Sequence, residues 1–513
     1  MNPLSGLDGA FLSLETPATP MHVGSLHLFR TPPGYRRDFC DSVKKMIASR
    51  LHVAPVFRRR LAAMPLRFAN PVWVDEGVDL DYHIRRIDLP PPGSWLQVQD
   101  CVGKLHAQLL DRSRPLWMLY VFEGLASGDK AYYIKIHHSL LDGQAGAALA
   151  SLLFDLSPTP PRAKRTPLQT KAAEQRPGVL TLAAAALRHD AGQYMKLVRH
   201  LPDVVRTLAG MVLSDGKPAA SRSSPKTSIG GELWRNFSFG PRTPINAAIT
   251  GERGFAAASI PLAEVKAIAA THEATVNDVV LALCSTALRS YLARHGGIPR
   301  KPLVATMPIS LRAPGDQNFT TQATLSLVSL ATHIADPLRR LRAIRAAAGA
   351  IKSAARHAKS VIPVDFPTIG EPWILALLAM LYGKTHLASA IPPIANVVIS
   401  NVFGPPVPLY VAGARMTGYW PASIVEHGVG LNITLMSYDG MLGIGFTAAS
   451  NLVPRPQELV ADILAAHREL QRLALPQPRA RKAARKAAAR KPASKPAAKK
   501  SGLSKTKAGR QHV

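Results

Sequence analysis

Two adjacent histidines, followed by an aspartate and a glycine, are the residues of this sequence whose types and spacing could support catalysis or metal binding. They are His137, His138, Asp142 and Gly143, in the stretch AYYIKIHHSLLDG (131–143). An imidazole can ligate a metal ion, take a proton as a general base, or fill a packed turn. Adjacent histidines alone are compatible with all three.

The apolar run before the pair predicts a β-strand over residues 131–137, in which successive side chains point to opposite faces of a sheet. His138 then continues the face of Ile134 and Ile136. His137 lies on the opposite face, so the two rings cannot easily coordinate the same metal ion. The chain also has no His-Glu-x-x-His helix and no paired cysteines, and we predict no metal site.

A partly buried His138 on an apolar face would stay neutral near pH 7 and could accept a proton. Gly143 would let a bulky substrate approach the turn closely. Asp142 stands where the N-cap of a following helix belongs, or else forms a buried salt bridge with a distant arginine. On the residues alone, a packed turn remains open beside a catalytic base.

The composition fits a globular protein of two domains. The chain has 513 residues, of which 47% are hydrophobic, and its three separated cysteines give no disulfide framework. The N-terminus lacks the basic start and apolar run of a signal peptide. The longest uncharged apolar run (372–382) is shorter than the roughly 20 residues of a bilayer-crossing helix. We therefore expect a cytoplasmic protein without a transmembrane helix.

Basic charge dominates the chain and is concentrated at the C-terminus. The net charge is +30, and residues 476–513 hold 13 Lys or Arg and no acid, which leaves +17 for residues 1–475. This tail of Lys, Arg, Ala and Pro should be disordered when free. We expect it to bind an anionic surface, either a membrane or nucleic acid. The basic body suits a phosphate-bearing ligand.

Changes in pattern divide the chain into four segments. Residues 1–156 and 233–475 alternate short strands with helices, a mixed α/β pattern, and 476–513 is the basic tail. Residues 157–232 comprise a Pro-rich linker and a helical insert, which either packs on the body or faces lipid. The predicted elements include strands at 22–29, 131–137, 254–262 and 396–403 and helices at 95–110, 277–296 and 456–474.

HHSLLDG fits the His-His-x-x-x-Asp-Gly signature of the coenzyme A-dependent acyltransferase superfamily, which includes chloramphenicol acetyltransferase and the condensation domains of peptide synthetases. Its surroundings resemble the bacterial wax ester synthase/acyl-CoA:diacylglycerol acyltransferase family over residues 1 to about 475. The resembling segments are PLSGLDGAFLSLETPATPMHVGSLHLF (3–29), SRPLW (113–117), VNDVVLALCSTALRSYL (276–292), MPISLR (307–312), IADPLRRL (334–341), NVVISNVFGP (396–405) and LNITLMSYDGML (431–442).

This resemblance implies two chloramphenicol-acetyltransferase-like halves of mixed sheet, with a tunnel at their interface where acyl-CoA and an acyl acceptor meet. It implies transfer of a long-chain fatty acyl group to diacylglycerol or a long-chain alcohol, by a protein held peripherally at the inner membrane or a lipid inclusion. Acyl-CoA would be a substrate, and no cofactor is expected.

The resemblance also implies roles for the motif residues. His138 would be the general base that activates the acceptor hydroxyl for direct attack on the thioester, with His137, Asp142 and Gly143 as its supports. Arg312 is the candidate ion-pair partner of Asp142. No acyl-enzyme is expected, and the chain has no Gly-x-Ser-x-Gly nucleophile motif.

Asn277, Asp278 and Trp117 match further family motifs and are candidate substrate-binding residues. The Asn-Asp pair equally fits an N-cap with an acidic first turn, and Trp117 equally fits the core.

Two other functions remain open at this point. One is a condensation-type acyltransferase with another acceptor. The other is a weakly active lipid-inclusion or nucleoid-associated protein that works through its basic tail.

Deleting residues 476–513 tests the role of the tail. We expect turnover on dispersed substrate to stay largely intact and binding to anionic vesicles to weaken, because the deletion removes 13 basic residues worth about 1 kcal/mol each near such a surface. Acyl-transfer assays and vesicle sedimentation of both forms measure this. Loss of turnover on truncation would instead make the tail part of the catalytic fold.

Overall fold

The computed structural model describes residues 2–3, 6–62, 72–75, 77–140, 149–159, 240–310, 323–358 and 392–474. Asp142, Gly143 and Arg312 lie outside these residues. The insert predicted at 179–213 and the tail at 476–513 also lie outside them.

The N-terminal part of the chain alternates strands and helices, as its sequence pattern predicts. Its strands are β1 (Asn2–Pro3), β2 (His22–Arg30), β3 (Arg59–Ala62), β4 (Val72–Asp75), β5 (Ile84–Asp88), β6 (Trp117–Glu123) and β7 (Lys130–His137). Its helices are α1 (Gly6–Leu14), α2 (Phe39–Arg50), α3 (Leu80–His83) and α4 (Trp95–Ala107). Short 3₁₀ turns cover Pro55–Arg58 and His138–Leu140.

The same alternation resumes after residue 240. The strands are β8 (Arg253–Pro261), β9 (Val304–Ser310), β10 (Ala323–Ser329), β11 (Val397–Phe403), β12 (Tyr410–Val411), β13 (Ala414–Ala422), β14 (Leu431–Tyr438) and β15 (Met441–Ala449). The helices are α5 (Leu262–Thr271), α6 (Val276–Arg294), α7 (Pro337–Ala358) and α8 (Gln457–Ala474). Within the described residues, no helix combines the length and apolar content of a membrane span.

Over all the residues that the structure describes, the strands form two six-stranded mixed sheets and a small sheet of order β1-β4-β3. The first large sheet has the order β12-β13-β2-β7-β6-β5, and the second has the order β10-β9-β11-β14-β15-β8. Each sheet has its own apolar core. The predicted α/β class with two sheet-rich halves is confirmed, while the tunnel between them stays a prediction.

Two strands of the first sheet come from the far end of the chain. The sequence division places all of 233–475 in the second half, yet β13 pairs antiparallel with β2 along its length, from Arg415 opposite Arg30 to Ala422 opposite Gly24. Without this pairing, β2 would present an unpaired edge. The division at residue 233 stays a prediction, and residues 410–422, which lie within the C-terminal segment, complete the first sheet.

The central strand β7 carries the His-His pair. It lies between β2 and β6, antiparallel to both, and every residue from Ala131 to His137 is buried. Burial on both faces accounts for the largely apolar sequence of the strand, which Lys135 interrupts. A side chain at the end of β7 is therefore held by neighbouring strands on two sides.

The two sheets approach each other closely where β13 crosses β15. A Cβ atom added to Gly445 would lie 1.7 Å from the Pro421 carbonyl oxygen, and one on Gly443 would lie 1.9 Å from that of Tyr419. Beside this crossing, the Trp420 indole N–H donates a 3.0 Å hydrogen bond to the Ala258 carbonyl of β8. Glycine is required here because backbone meets backbone.

Gly445→Ala tests this close approach. The added methyl group must push two strands apart, and overpacking of this kind costs about 1–3 kcal/mol, which should lower the melting temperature by several degrees. Thermal unfolding measures the change. The control is Gly349→Ala in α7, where no described atom beyond the helix's own backbone and adjacent residues lies within 4 Å of the added carbon. An unchanged melting temperature for Gly445→Ala would show that the crossing is loose.

Candidate active site

The imidazole of His138 lies at the C-terminal end of β7, in the 3₁₀ turn. The backbone N–H of His138 donates a 2.8 Å hydrogen bond to the Met21 carbonyl, and the Phe11 ring of α1 stacks on the imidazole with centroids 3.9 Å apart. Burial lowers the pKa of His138 to about 4, and the charge of His137 acts in the same direction. The side chain is only half-buried, so at neutral pH it is an accessible, uncharged base.

His137 is fully buried and has different surroundings. Its Nδ1 accepts hydrogen bonds from the Ser139 backbone N–H at 3.1 Å and from the Ser139 hydroxyl at 2.7 Å. A nitrogen that accepts carries no proton, so we assign the proton of the neutral ring to Nε2. Nε2 lies 3.4 Å from Oε1 of Glu15. His137 therefore joins the turn that carries His138 to a buried carboxylate.

The carboxylate of Glu15 lies between α1 and β2, with 2% of its side chain exposed. Its Oε1 accepts the Met21 backbone N–H at 3.2 Å and lies 3.2 Å from Nε2 of His22. Its Oε2 accepts a 2.9 Å hydrogen bond from the Arg112 guanidinium. The contacts with His22 and His137 are close but lack the alignment of good hydrogen bonds. The Glu15 carboxylate thus accepts well-formed hydrogen bonds from Met21 and Arg112.

The charges of this cluster follow from burial and pairing. Burial alone would raise the pKa of Glu15, but His137 and His22 hold the pKa of that carboxyl well below its usual range. Burial lowers the pKa of His22 to about 4, against the attraction of Glu15. At neutral pH the cluster therefore holds an ionised Glu15, a neutral His22 and the partly exposed Arg112 cation.

A buried lysine lies on the same central strand. Lys135 is 1% exposed, and its Nζ donates hydrogen bonds of 2.7 and 2.6 Å to the carbonyls of Leu105 and Gln108, at the C-terminal end of α4. Burial lowers its pKa to about 7, and the charge of Glu15 acts in the opposite direction. Lys135 satisfies carbonyls that the end of the helix leaves without partners.

Trp117, a candidate for substrate contact, is a core residue in the structure. It is 1% exposed, its indole N–H donates to the Phe57 carbonyl at 2.9 Å, and the His83 ring stacks on it with centroids 4.5 Å apart. These contacts favour the core alternative that the sequence left open.

The Asn-Asp pair begins α6 and is divided between two environments. Asp278 is 3% exposed and forms a capping box, in which its carboxylate accepts the Thr275 backbone N–H at 2.9 Å and Thr275 caps the Asp278 N–H in return. Asn277 is half-buried, with its amide 3.6 Å from the Met307 sulfur. The capping geometry fits the N-cap alternative for Asp278, and Asn277 keeps polar atoms for a ligand.

Several residues around His138 could not be predicted from the sequence. They include Glu15, Phe11, Ser139 and His22. The available signal was a single acid, Glu15, at the end of the apolar helix GLDGAFLSL. An acid there more often caps or faces solvent, so its burial could not be inferred without the fold.

The arrangement suits proton abstraction from a neutral hydroxyl. His138 is an uncharged base, and the cluster behind it fixes the turn without competing for the substrate proton. Among the described residues, no group of three or more His, Cys, Asp or Glu side chains could hold a metal ion.

Comparison with known proteins shows which family the chain resembles. Residues 4–280 match the model of the wax ester synthase/diacylglycerol acyltransferase catalytic domain, and residues 321–471 match that of the family's C-terminal domain. A putative diacylglycerol O-acyltransferase of Mycobacterium tuberculosis is 36% identical over 91% of this chain and 99% of its own length. The O-acyltransferase WSD of Acinetobacter baylyi is 35% identical over 90% and 95%.

A solved structure is also similar. It is the wax ester synthase/diacylglycerol acyltransferase of Marinobacter aquaeolei, at 29% identity and a TM-score of 0.64, covering 92% of this chain and all of that one. Similarity of sequence and of fold thus extends over nearly the whole length, on both sides of the histidine site. The chain belongs to the wax ester synthase/diacylglycerol acyltransferase family.

Proposed function

We propose that this protein is an O-acyltransferase that transfers a long-chain fatty acyl group from acyl-CoA to diacylglycerol, to a long-chain alcohol, or to both. The names of its relatives support acyl transfer to diacylglycerol and the formation of wax esters. The observation that carries the proposal is the accessible, uncharged His138 imidazole in a chain of this family. Acyl-CoA is a substrate in this reaction, which needs no cofactor.

The reaction proceeds by direct attack. His138 takes the proton of the acceptor hydroxyl as the oxygen attacks the thioester carbonyl carbon. The new carbon–oxygen bond forms, the carbon–sulfur bond breaks, and the sulfur takes the proton from the imidazolium. The products are an ester and free coenzyme A, and His138 returns to its neutral state.

Glu15 and His137 act behind the base. The Glu15 carboxylate holds the Met21 N–H, and the Met21 carbonyl holds the N–H of His138. The His137–Ser139 hydrogen bonds fix the other side of the same turn. These contacts hold the imidazole in place for a hydroxyl, and a misplacement of about 1 Å can lower the rate about 100-fold.

The substrates also place the protein at a lipid surface in this proposal. Diacylglycerol and long-chain alcohols reside in membranes and lipid inclusions, and the net charge of +17 on residues 1–475 suits contact with anionic headgroups and with the phosphates of coenzyme A. The tail at 476–513 would add a further contact with an anionic surface, which includes nucleic acid.

Replacing the base tests the mechanism. We expect His138→Ala to lower ester formation by about 100-fold or more, since a general base contributes about 10²–10⁴-fold. The assay uses purified protein and long-chain acyl-CoA, with diacylglycerol and a long-chain alcohol offered in parallel. The control is His467→Gln, another buried histidine, which pairs with Glu264 on the outer helices. Unchanged ester formation in His138→Ala would reject the general-base role.

Glu15→Gln tests the buried charge through the pH dependence of stability. The folded pKa of Glu15 lies below its usual value, so its contribution to stability is present above about pH 4.5 and is lost as the pH falls from there toward the folded value. The variant should melt at a lower temperature at pH 7, and its melting temperature should fall less between pH 5 and pH 2. We also expect about tenfold slower ester formation.

Glu458→Gln is the matched control for Glu15→Gln. Glu458 also pairs with a histidine and arginines, but it is more exposed and lies on α8. Its loss should change stability little, because exposed ion pairs contribute about 0–1 kcal/mol. Equal pH profiles for wild type and Glu15→Gln would show that Glu15 is not a stabilising buried anion.

A further inference from the structure

An arginine of the second half makes a buried contact with the first half near the histidine site. Arg253, the first residue of β8, is 6% exposed. Its Nη1 donates to the carbonyls of Thr250 at 2.5 Å and Glu252 at 3.0 Å, and its Nη2 donates to the carbonyl of Ala18 at 2.6 Å. In each of these hydrogen bonds the acceptor is a backbone carbonyl oxygen. The guanidinium therefore donates to three backbone carbonyls at once.

The Ala18 carbonyl belongs to a tight turn between α1 and β2. Thr16 and Thr19 close this turn with two backbone hydrogen bonds of 3.3 and 3.0 Å, and their hydroxyls lie 2.7 Å apart. The second half touches the turn again at Gly251, where an added Cβ atom would lie 2.6 Å from the Pro17 carbonyl oxygen. The turn is therefore seated against the second half at two adjacent carbonyls.

Both ends of this turn lead to the catalytic histidine. Glu15 precedes the turn and Met21 follows it, and the Met21 N–H donates to the Glu15 carboxylate at 3.2 Å. The Met21 carbonyl accepts the backbone N–H of His138 at 2.8 Å. A shift of the turn would move the carboxylate and the backbone support of His138 together.

We propose that Arg253 is a positioning residue, which acts from the second half through the Thr16–Thr19 turn to hold Glu15 and His138 in place for acyl transfer. The inference rests on the proposed function for its kinetic effect. It assigns the second half a part in the geometry of a base that lies in the first.

Arg253→Lys tests the inference against a matched control. Lysine keeps the charge but cannot reach the three carbonyls as a fork. The control is Arg340→Lys, because Arg340 is also buried in the second half, at 2% exposed, and donates to the carbonyls of Ile334 and Ala335. Both variants should melt at a lower temperature. Only Arg253→Lys should lower kcat, per folded molecule, by about tenfold or more.

The pH profile separates positioning from mere stabilisation. Among the described residues, the Phe11 ring stacks on the His138 imidazole and the neighbouring His137 is the titratable group that acts on its pKa. If the turn loosens, water reaches the His138 imidazole and its pKa rises toward the usual value. The acidic limb of kcat/KM should then move to higher pH in Arg253→Lys and stay unchanged in Arg340→Lys. Wild-type kcat and an unmoved limb in folded Arg253→Lys would overturn the inference.

Amide hydrogen exchange supplies a readout that does not need activity. Arg253→Lys should lose protection in the peptide that covers residues 15–22, while Arg340→Lys should not. If wild type forms no ester, the proposed function fails, and the exchange result still decides whether Arg253 holds the turn. If Arg253→Lys does not fold, Gly251→Ala displaces the same turn without changing a charge, and normal kcat together with normal protection in that variant would overturn the inference.

Discussion

The buried carboxylate of Glu15 is the interaction on which the histidine site depends. An ionised group in a protein interior is unfavourable unless charges and hydrogen bonds surround it. Here the partners come from different parts of the chain: Met21 beside it, Arg112 after α4 and His137 at the end of β7. The need to satisfy one charge thus brings three segments to one point, and His138 is the neighbour whose backbone that point fixes.

The two adjacent histidines serve different ends because their surroundings differ. His137 is closed off from water and has its proton assigned by Ser139, so it acts as a structural link. His138 is half-buried with the Phe11 ring stacked on it, and burial lowers its pKa to about 4. A carboxylate in direct contact with His138 would favour the charged ring and raise its pKa, and among the described residues the Glu15 carboxylate lies against His137 instead.

The sequence predicted local structure well and long-range structure poorly. The strand β7 and the strand at 22–29 could be predicted from the sequence, because a strand that is buried in a sheet is rich in apolar residues. The partnership of Glu15 with His137 could not, since the two residues belong to separate elements and only the pairing of β2 with β7 brings them together. The sequence of Trp117 fitted both the core and substrate contact, and only the fold, which leaves the side chain 1% exposed, favours the core.

Because β13 belongs to the first sheet, that sheet can be completed only late in synthesis of the chain. The β2 edge finds its partner only in residues 414–422, so a nascent chain exposes that edge until the ribosome has passed most of the second half. Pairings this far apart in sequence close slowly, and open strand edges invite association with other chains. The first sheet therefore reaches its final form only after residues 410–422 have been made, whereas every strand of the second sheet lies within residues 253–449.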